Sequence, residues 1–218
     1  MADERHADEV YWVEPQKRGI LPLGGFHLSR SLAKSLKSNQ YETTADADFS
    51  GVVRACAASV ETRPSTWING QIEEAVTRLH ALGRAHSIEI WDKDVLVGGL
   101  YGIALGRAFF GESMFSRATD ASKFALAHLV ARLRAGGFTL LDCQFITPHL
   151  ASLGAIEIDR EDYLKRLAQA LSPDEPVGNY GLYSGSPPSL GATSESCVTM
   201  VSLPTSGWRI WHSLTQTS

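Results

Sequence analysis

HSIEIWDKDVLVGGLY, residues 86–101, is the stretch that decides the fold. From His86 to Trp91 apolar and polar side chains alternate with period two, residues 92–94 supply a polar turn, and Val95 to Tyr101 resumes as an apolar run. Alternation of this kind puts one face of a strand against a core, and two such runs about a short turn form a hairpin. Reading onward, Ala104 to Ser116 continues as a further strand, with bulges or close backbone approach expected at Gly106 and Gly111. Asp120 is placed to N-cap a helix over 121–135 that Gly136 and Gly137 close, and 138–144 is a short apolar strand emerging from it. Upstream, 27–38, 49–58 and 71–82 read as helices, the last closed by Gly83; downstream, 149–153 and 161–171 are two more. Helices, strands in hairpin succession, a long helix, a strand and a helix make an α+β fold, a mixed α/β sheet with packed helices.

At 218 residues, with 44% hydrophobic and 20% charged residues, the chain has the composition of an ordinary globular protein of one domain or a tight pair. No apolar run approaches the roughly 18 residues a spanning helix needs. Residues 1–6 carry mixed charge without an apolar stretch, so no secretory signal is read and a cytoplasmic location is expected. Cys56, Cys143 and Cys197 lie far apart and the histidines show no ligand spacing, so neither a metal nor a cofactor is expected. The net charge of −4 argues against a general nucleic-acid binder but leaves room for a local basic patch. Lys17 and Arg18 begin one, and Arg30, Lys34 and Lys37 follow at i, i+4, i+7, along one helix face: a nucleic-acid contact or a solvated surface. From Ser172 proline, glycine and serine accumulate, so 172–218 reads as a flexible tail whose apolar stretch, Val198 to Trp211, could dock back.

Few residues carry chemistry. Asp142 and Gln144, at i and i+2 of the strand after the long helix, should project from one face. A carboxylate and an amide in one pocket suit proton handling and substrate positioning; equally, two polar residues can cap a strand end. Glu112 lies among Phe109, Phe110, Met114 and Phe115, where a carboxylate should have a raised pKa or a cationic partner. Cys143 alternates away from Asp142 and reads as a buried structural thiol, and His86 and His149 read as structural histidines. Gly98 and Gly99 lack the Gly-Lys-Ser/Thr of a phosphate loop.

Taken in order, STWI (65–68), HSIEIW (86–91), LVGGLYG (96–102), GESMFS (111–116), ASK (121–123), DCQ (142–144), HL (149–150) and SLGA (152–155) resemble the leucyl/phenylalanyl-tRNA–protein transferase family, from about Tyr11 to Leu171. The resemblance implies a GCN5-related acetyltransferase-like sheet. It implies transfer of Leu or Phe, and less well Met, from aminoacyl-tRNA to proteins with N-terminal Arg or Lys, marking them for N-degron proteolysis. The donor is an activated ester, so no ATP, metal or cofactor is implied. Carried over by position, Asp142 and Gln144 match the catalytic strand pair, and Glu112 borders the aminoacyl-adenosine end. Leu100, Phe109, Met114, Leu129, Leu133 and Leu141 match or replace positions lining the amino-acid side-chain pocket. Trp67 is the candidate stacking surface for the terminal adenine, and Arg30, Lys34 and Lys37 become candidates for tRNA binding. A monomer is expected.

One departure stands out. Family members carry an N-terminal segment with a glycine-rich stretch and a Gly-Ile-Phe-Pro turn before a Trp-x-x-Pro element, here Trp12 to Pro15. The expected division is therefore a remnant of that segment over 1–26, a catalytic domain over 27–171 and the tail over 172–218, the upstream part lost to start-site misassignment or deletion. Two other readings stay open. An N-acyltransferase using coenzyme A would want an Arg/Gln-x-x-Gly-x-Gly/Ala loop between strand and helix, which residues 134–139 (RAGGFT) do not supply. The other is an inactive tRNA- or peptide-binding relic.

Overall fold

A computed structural model describes residues 5, 9–10, 13–58 and 66–172. The expected tail, with Trp208 and Trp211, and Trp12 lie outside the described residues. Strand β1 (Lys17–Ile20) is followed by a short 3-10 turn at Leu23–Gly25, α1 (Arg30–Lys37), β2 (Glu42–Ala45), α2 (Phe49–Ala57) and α3 (Gly70–Ala81). Then come β3 (Ala85–Asp92), β4 (Val95–Leu105), β5 (Ala108–Ser116), α4 (Ala121–Ala135), β6 (Leu140–Gln144), α5 (Pro148–Ser152), β7 (Ile156–Asp159) and α6 (Arg160–Ala170).

The strands form one seven-stranded sheet in the order β2-β3-β4-β5-β6-β1-β7. Every pairing is antiparallel except β5 with β6. Parallel neighbours require a crossover connection, and α4 supplies it. That helix is apolar almost all round, from Ala121 to Leu133, and so lies buried under the sheet with α1 against it. Leu100, Phe109 and Leu141 face α4; Tyr101 faces α2 and α3, and Leu140 faces α6 on the opposite side. The result is three layers, with the sheet between α1/α4 and α2/α3/α6. No helix among the described residues is long and apolar enough to cross a membrane.

Two local expectations change. The strand read over 104–116 is two strands, because the apolar run continues through a tight turn at Gly106 and Arg107 with Gly106 at φ +57. Asp120 holds the N-cap position of α4 and its carbonyl accepts the Phe124 N–H, but its side chain makes no capping bond: its φ is 60, its carboxylate takes Lys123 Nζ at 2.7 Å, and Ser116 Oγ accepts the Ser122 N–H instead. Gly98 is a packing position, since a Cβ there would lie 2.5 Å from that of Ala121. β1, β2 and β7, four residues each, are too short for periodicity to register. β1 lies between β6 and β7, so a boundary drawn at residue 26 separates a strand from the sheet that holds it.

Candidate functional site

Parallel pairing of β5 with β6 covers only Ala108 to Phe110 against Leu140 to Asp142. Beyond that point the strands part. On β5 the parting coincides with a bulge: Tyr101 opposes Ser113 and Gly102 opposes Gly111, which leaves Glu112 as the extra residue. A bulge re-aims a side chain, and Glu112 reaches across the gap, where Gln144 Nε2 donates to its Oε2 at 3.2 Å.

On the α4 side of the gap lies a cavity of about 240 Å³. That is below the roughly 300–1,000 Å³ of pockets for whole drug-sized ligands, and on the scale of one large side chain. Leu100, Met114, Leu126, Leu129, Leu141 and Leu150 form its apolar wall, with Glu112, Ser113, Cys143, Thr147 and His149 also on its lining. Four of the six pocket residues carried over from the resemblance are there. Phe109 and Leu133 do not line it; both lie fully buried in the core beneath the sheet. Helical periodicity explains the second: Leu126 and Leu129, at i and i+3, reach the cavity, and Leu133 is the next turn along, deeper in the core. Leu126 and Leu150 were missed although Leu126 shares a face with Leu129.

Electrostatics differ among the polar members. Burial raises the Glu112 pKa, as does the charge of Asp142, while the bond from Gln144 and the charge of Arg18 oppose it. The expectation of a perturbed carboxylate holds. Burial pushes the Cys143 thiol up to about 12, so it stays protonated and is no nucleophile. His149 is lowered by burial and by Lys123, and its Nε2 is buried with no hydrogen-bond partner. His86 Nδ1 is bonded to Asp46 Oδ2 at 2.8 Å, two strands across the sheet from β5.

Asp142 faces the other way. Gln144 ends β6 at φ 63, in the left-handed region, so alternation breaks there and the pair does not share one face as expected. Asp142 is 0% exposed. Its Oδ1 accepts from Arg18 Nε at 3.0 Å and from the Gln144 N–H at 2.7 Å; its Oδ2 accepts from Arg18 Nη2 at 2.8 Å and from the Tyr163 hydroxyl at 2.7 Å. Four donors fill a carboxylate's capacity. Burial works against the charge on Arg18, but the hydrogen bonds and charge of Asp142 hold its pKa above the ordinary value. Burial and the bond to Asp142 likewise raise that of Tyr163. Arg18 thus belongs to this cluster, not to a solvent-facing basic patch, and neither it nor Tyr163 carries a sequence signal beyond its type.

The remaining candidates lie away from the gap. Trp67 is half-buried against the α2/α3 core and does not line the cavity. Arg30, Lys34 and Lys37 are exposed along α1, which buries Leu32 and Leu36 and packs on α4. The cations therefore sit on the same side of the sheet as the cavity.

The profile of the leucyl/phenylalanyl-tRNA protein transferase family matches residues 20–168. A leucyl/phenylalanyl-tRNA–protein transferase from Zymomonas mobilis is 63% identical over 183 residues, 83% of this chain and 68% of that protein. One from Rhizorhabdus wittichii is 66% identical over 171 residues, 78% of this chain and 69% of that protein. One from Cereibacter sphaeroides is 60% identical over 172 residues, 79% and 78% respectively.

Proposed function

The chain belongs to the leucyl/phenylalanyl-tRNA–protein transferase family and is an aminoacyltransferase, and from that premise we propose that it moves Leu or Phe, and Met less well, from charged tRNA to proteins beginning with Arg or Lys, tagging them for N-degron proteolysis. The observation that carries the choice of amino acid is the cavity: an apolar wall with room for one large side chain, open where β5 and β6 part. Such a pocket selects apolar over polar side chains and separates similar apolar ones only weakly. The sheet is of the GCN5-related acetyltransferase type; the parallel β5–β6 pair, joined through α4 and splayed at Asp142, supports that assignment.

The chemistry is ester aminolysis. The acceptor α-amine, with an ordinary pKa of about 8, is partly neutral near neutral pH. It attacks the aminoacyl ester carbonyl; a C–N bond forms, the C–O bond to the terminal ribose breaks, and the proton lost by the amine ends on the ribose oxygen. Gln144, fixed through Nε2 to Glu112, has its amide oxygen available to accept from the incoming amine and aim it. Glu112, whose proton affinity burial raises, is suited to hold the proton in transit. Asp142 is sealed by its four donors and acts behind Gln144 through that residue's backbone N–H. The exposed Arg30, Lys34 and Lys37 offer the tRNA backbone a cationic stripe, while the half-buried Trp67 remains the stacking candidate for the terminal adenine. The protein works as a monomer in the cytoplasm.

The test is transfer of labelled Phe, Leu and Met from their tRNAs to otherwise identical peptides beginning with Arg, Lys or Ala. Modification of the Arg and Lys peptides, with Phe and Leu ahead of Met, is expected. Transfer indifferent to the first acceptor residue, or none from any donor, would contradict the proposal.

A further inference from the structure

Asp142 is held by residues from three elements: Arg18 of β1, Tyr163 of α6 and the N–H of Gln144 on its own strand. Arg18 forms a fork, with Nε and Nη2 both within 3.1 Å of the carboxylate, and its guanidinium lies 5.3 Å from the centre of the Tyr163 ring. Each jaw of the clamp therefore also braces the other. β1 can come this close because Gly19, opposite Gln144 in the register, has no side chain; a Cβ there would lie 2.9 Å from the carbonyl carbon of Phe145.

The clamp matters because of what it fixes. Gln144 sits at φ 63, a backbone conformation that is strained for a non-glycine residue and persists only where its surroundings over-determine it. Two bonds do so: its N–H to Asp142 Oδ1, and its side chain to Glu112. The first is useful only while the carboxylate cannot rotate, and Arg18 with Tyr163 prevents rotation by occupying the remaining positions on both oxygens.

We propose that Arg18 and Tyr163 are positioning residues for transfer: through the Asp142 carboxylate they lock the end of β6, and so hold the Gln144 amide at the angle at which it receives the acceptor amine. This rests on the transferase reading given above. Neither residue lines the cavity, so their loss should slow the step after binding and leave binding itself alone.

The sharpest variant is Tyr163→Phe, which removes one hydroxyl and keeps both the ring and the Arg18–Asp142 pair. Rates would be measured with saturating charged tRNA and an Arg-initial peptide, beside Val53→Ala, a core truncation between α2 and the sheet that serves as a stability control. The expected result is a kcat about tenfold lower for Tyr163→Phe with both KM values unchanged, and an unaltered kcat for Val53→Ala at an equal or larger loss of melting temperature. Arg18→Lys, which keeps the charge but not the fork, should fall between wild type and Arg18→Met. Unchanged kcat in Tyr163→Phe, or a loss that merely tracks melting temperature in all variants, would overturn the inference while leaving the transferase reading intact. A wild type that transfers nothing would overturn both.

Discussion

The two sides of the β5–β6 gap are built on opposite principles. On the α6 side, Asp142, Arg18 and Tyr163 form a closed polar cluster in which each carboxylate oxygen has its partners and the carboxylate has no exposed surface. On the α4 side, an apolar cavity is bordered by a carboxylate with raised proton affinity and a histidine whose Nε2 has no partner. Satisfied groups give rigidity; groups left wanting give a place for another molecule's atoms. A transferase needs both at one spot, because its own chemistry is mainly the holding of two substrates in line. Gln144 joins the sides, with its backbone on one and its side chain on the other.

The largest effect expected from breaking this contrast is that of Asp142→Ala. It leaves Arg18 charged, half-buried and unpaired, so stability should fall by about 3–5 kcal/mol along with transfer, as denaturant unfolding would record. An equal unfolding free energy would mean that the cluster is not the rigid side. Glu112→Gln should behave the other way. Transfer should drop about a hundredfold, yet the protein should melt higher than wild type at neutral pH. The sign follows from the raised pKa: stability from the protonated carboxyl is complete below the ordinary glutamate pKa of about 4 and is lost as pH rises through the folded value. Glutamine avoids the buried charge, so the two melting curves should converge as the pH is lowered toward 4. A variant less stable than wild type at neutral pH would refute the assignment of Glu112 to the open side.

Smaller effects lie further out. Leu129→Ala enlarges the cavity wall at some cost in stability, about 2–4 kcal/mol for a buried leucine. It should shift preference from Leu toward Phe by about tenfold, read as the ratio of kcat/KM values. No change in that ratio would remove Leu129 from the side-chain pocket. Replacing Arg30, Lys34 and Lys37 together by Gln should raise the KM for charged tRNA several-fold at low salt and progressively less as salt increases. A salt-independent change would point to a folding effect on α1.

Much of this architecture was legible in the residues. The β3–β4 hairpin and the buried helix α4 announce themselves through long, regular apolar patterns, and β4 and α4 line the cavity beside the gap. The ordered motifs then placed Glu112, Asp142 and Gln144 within it. What the sequence could not display is any contact between distant, patternless positions. Arg18 sits in a four-residue strand and looked like part of a basic surface, while Tyr163 is the one aromatic on a helix whose other apolar residues are leucines and alanines. Their partner is more than a hundred residues from Arg18. The shared face expected of Asp142 and Gln144 failed for a local reason: alternation assumes extended backbone, and Gln144 leaves it. Phe109 and Leu133 were assigned to the pocket on type and position, but depth beneath the sheet, which no spacing encodes, put them in the core.

We propose that transfer proceeds at the gap, with Gln144 presenting the acceptor amine beside the apolar cavity. The direct measurement is the rate at which labelled phenylalanine passes from its tRNA to a protein with N-terminal arginine, wild type against Gln144→Ala, at matched folded fraction. Transfer by the wild type is expected, with a loss of about a hundredfold in Gln144→Ala and KM for charged tRNA little changed. Equal rates for the two proteins would contradict it.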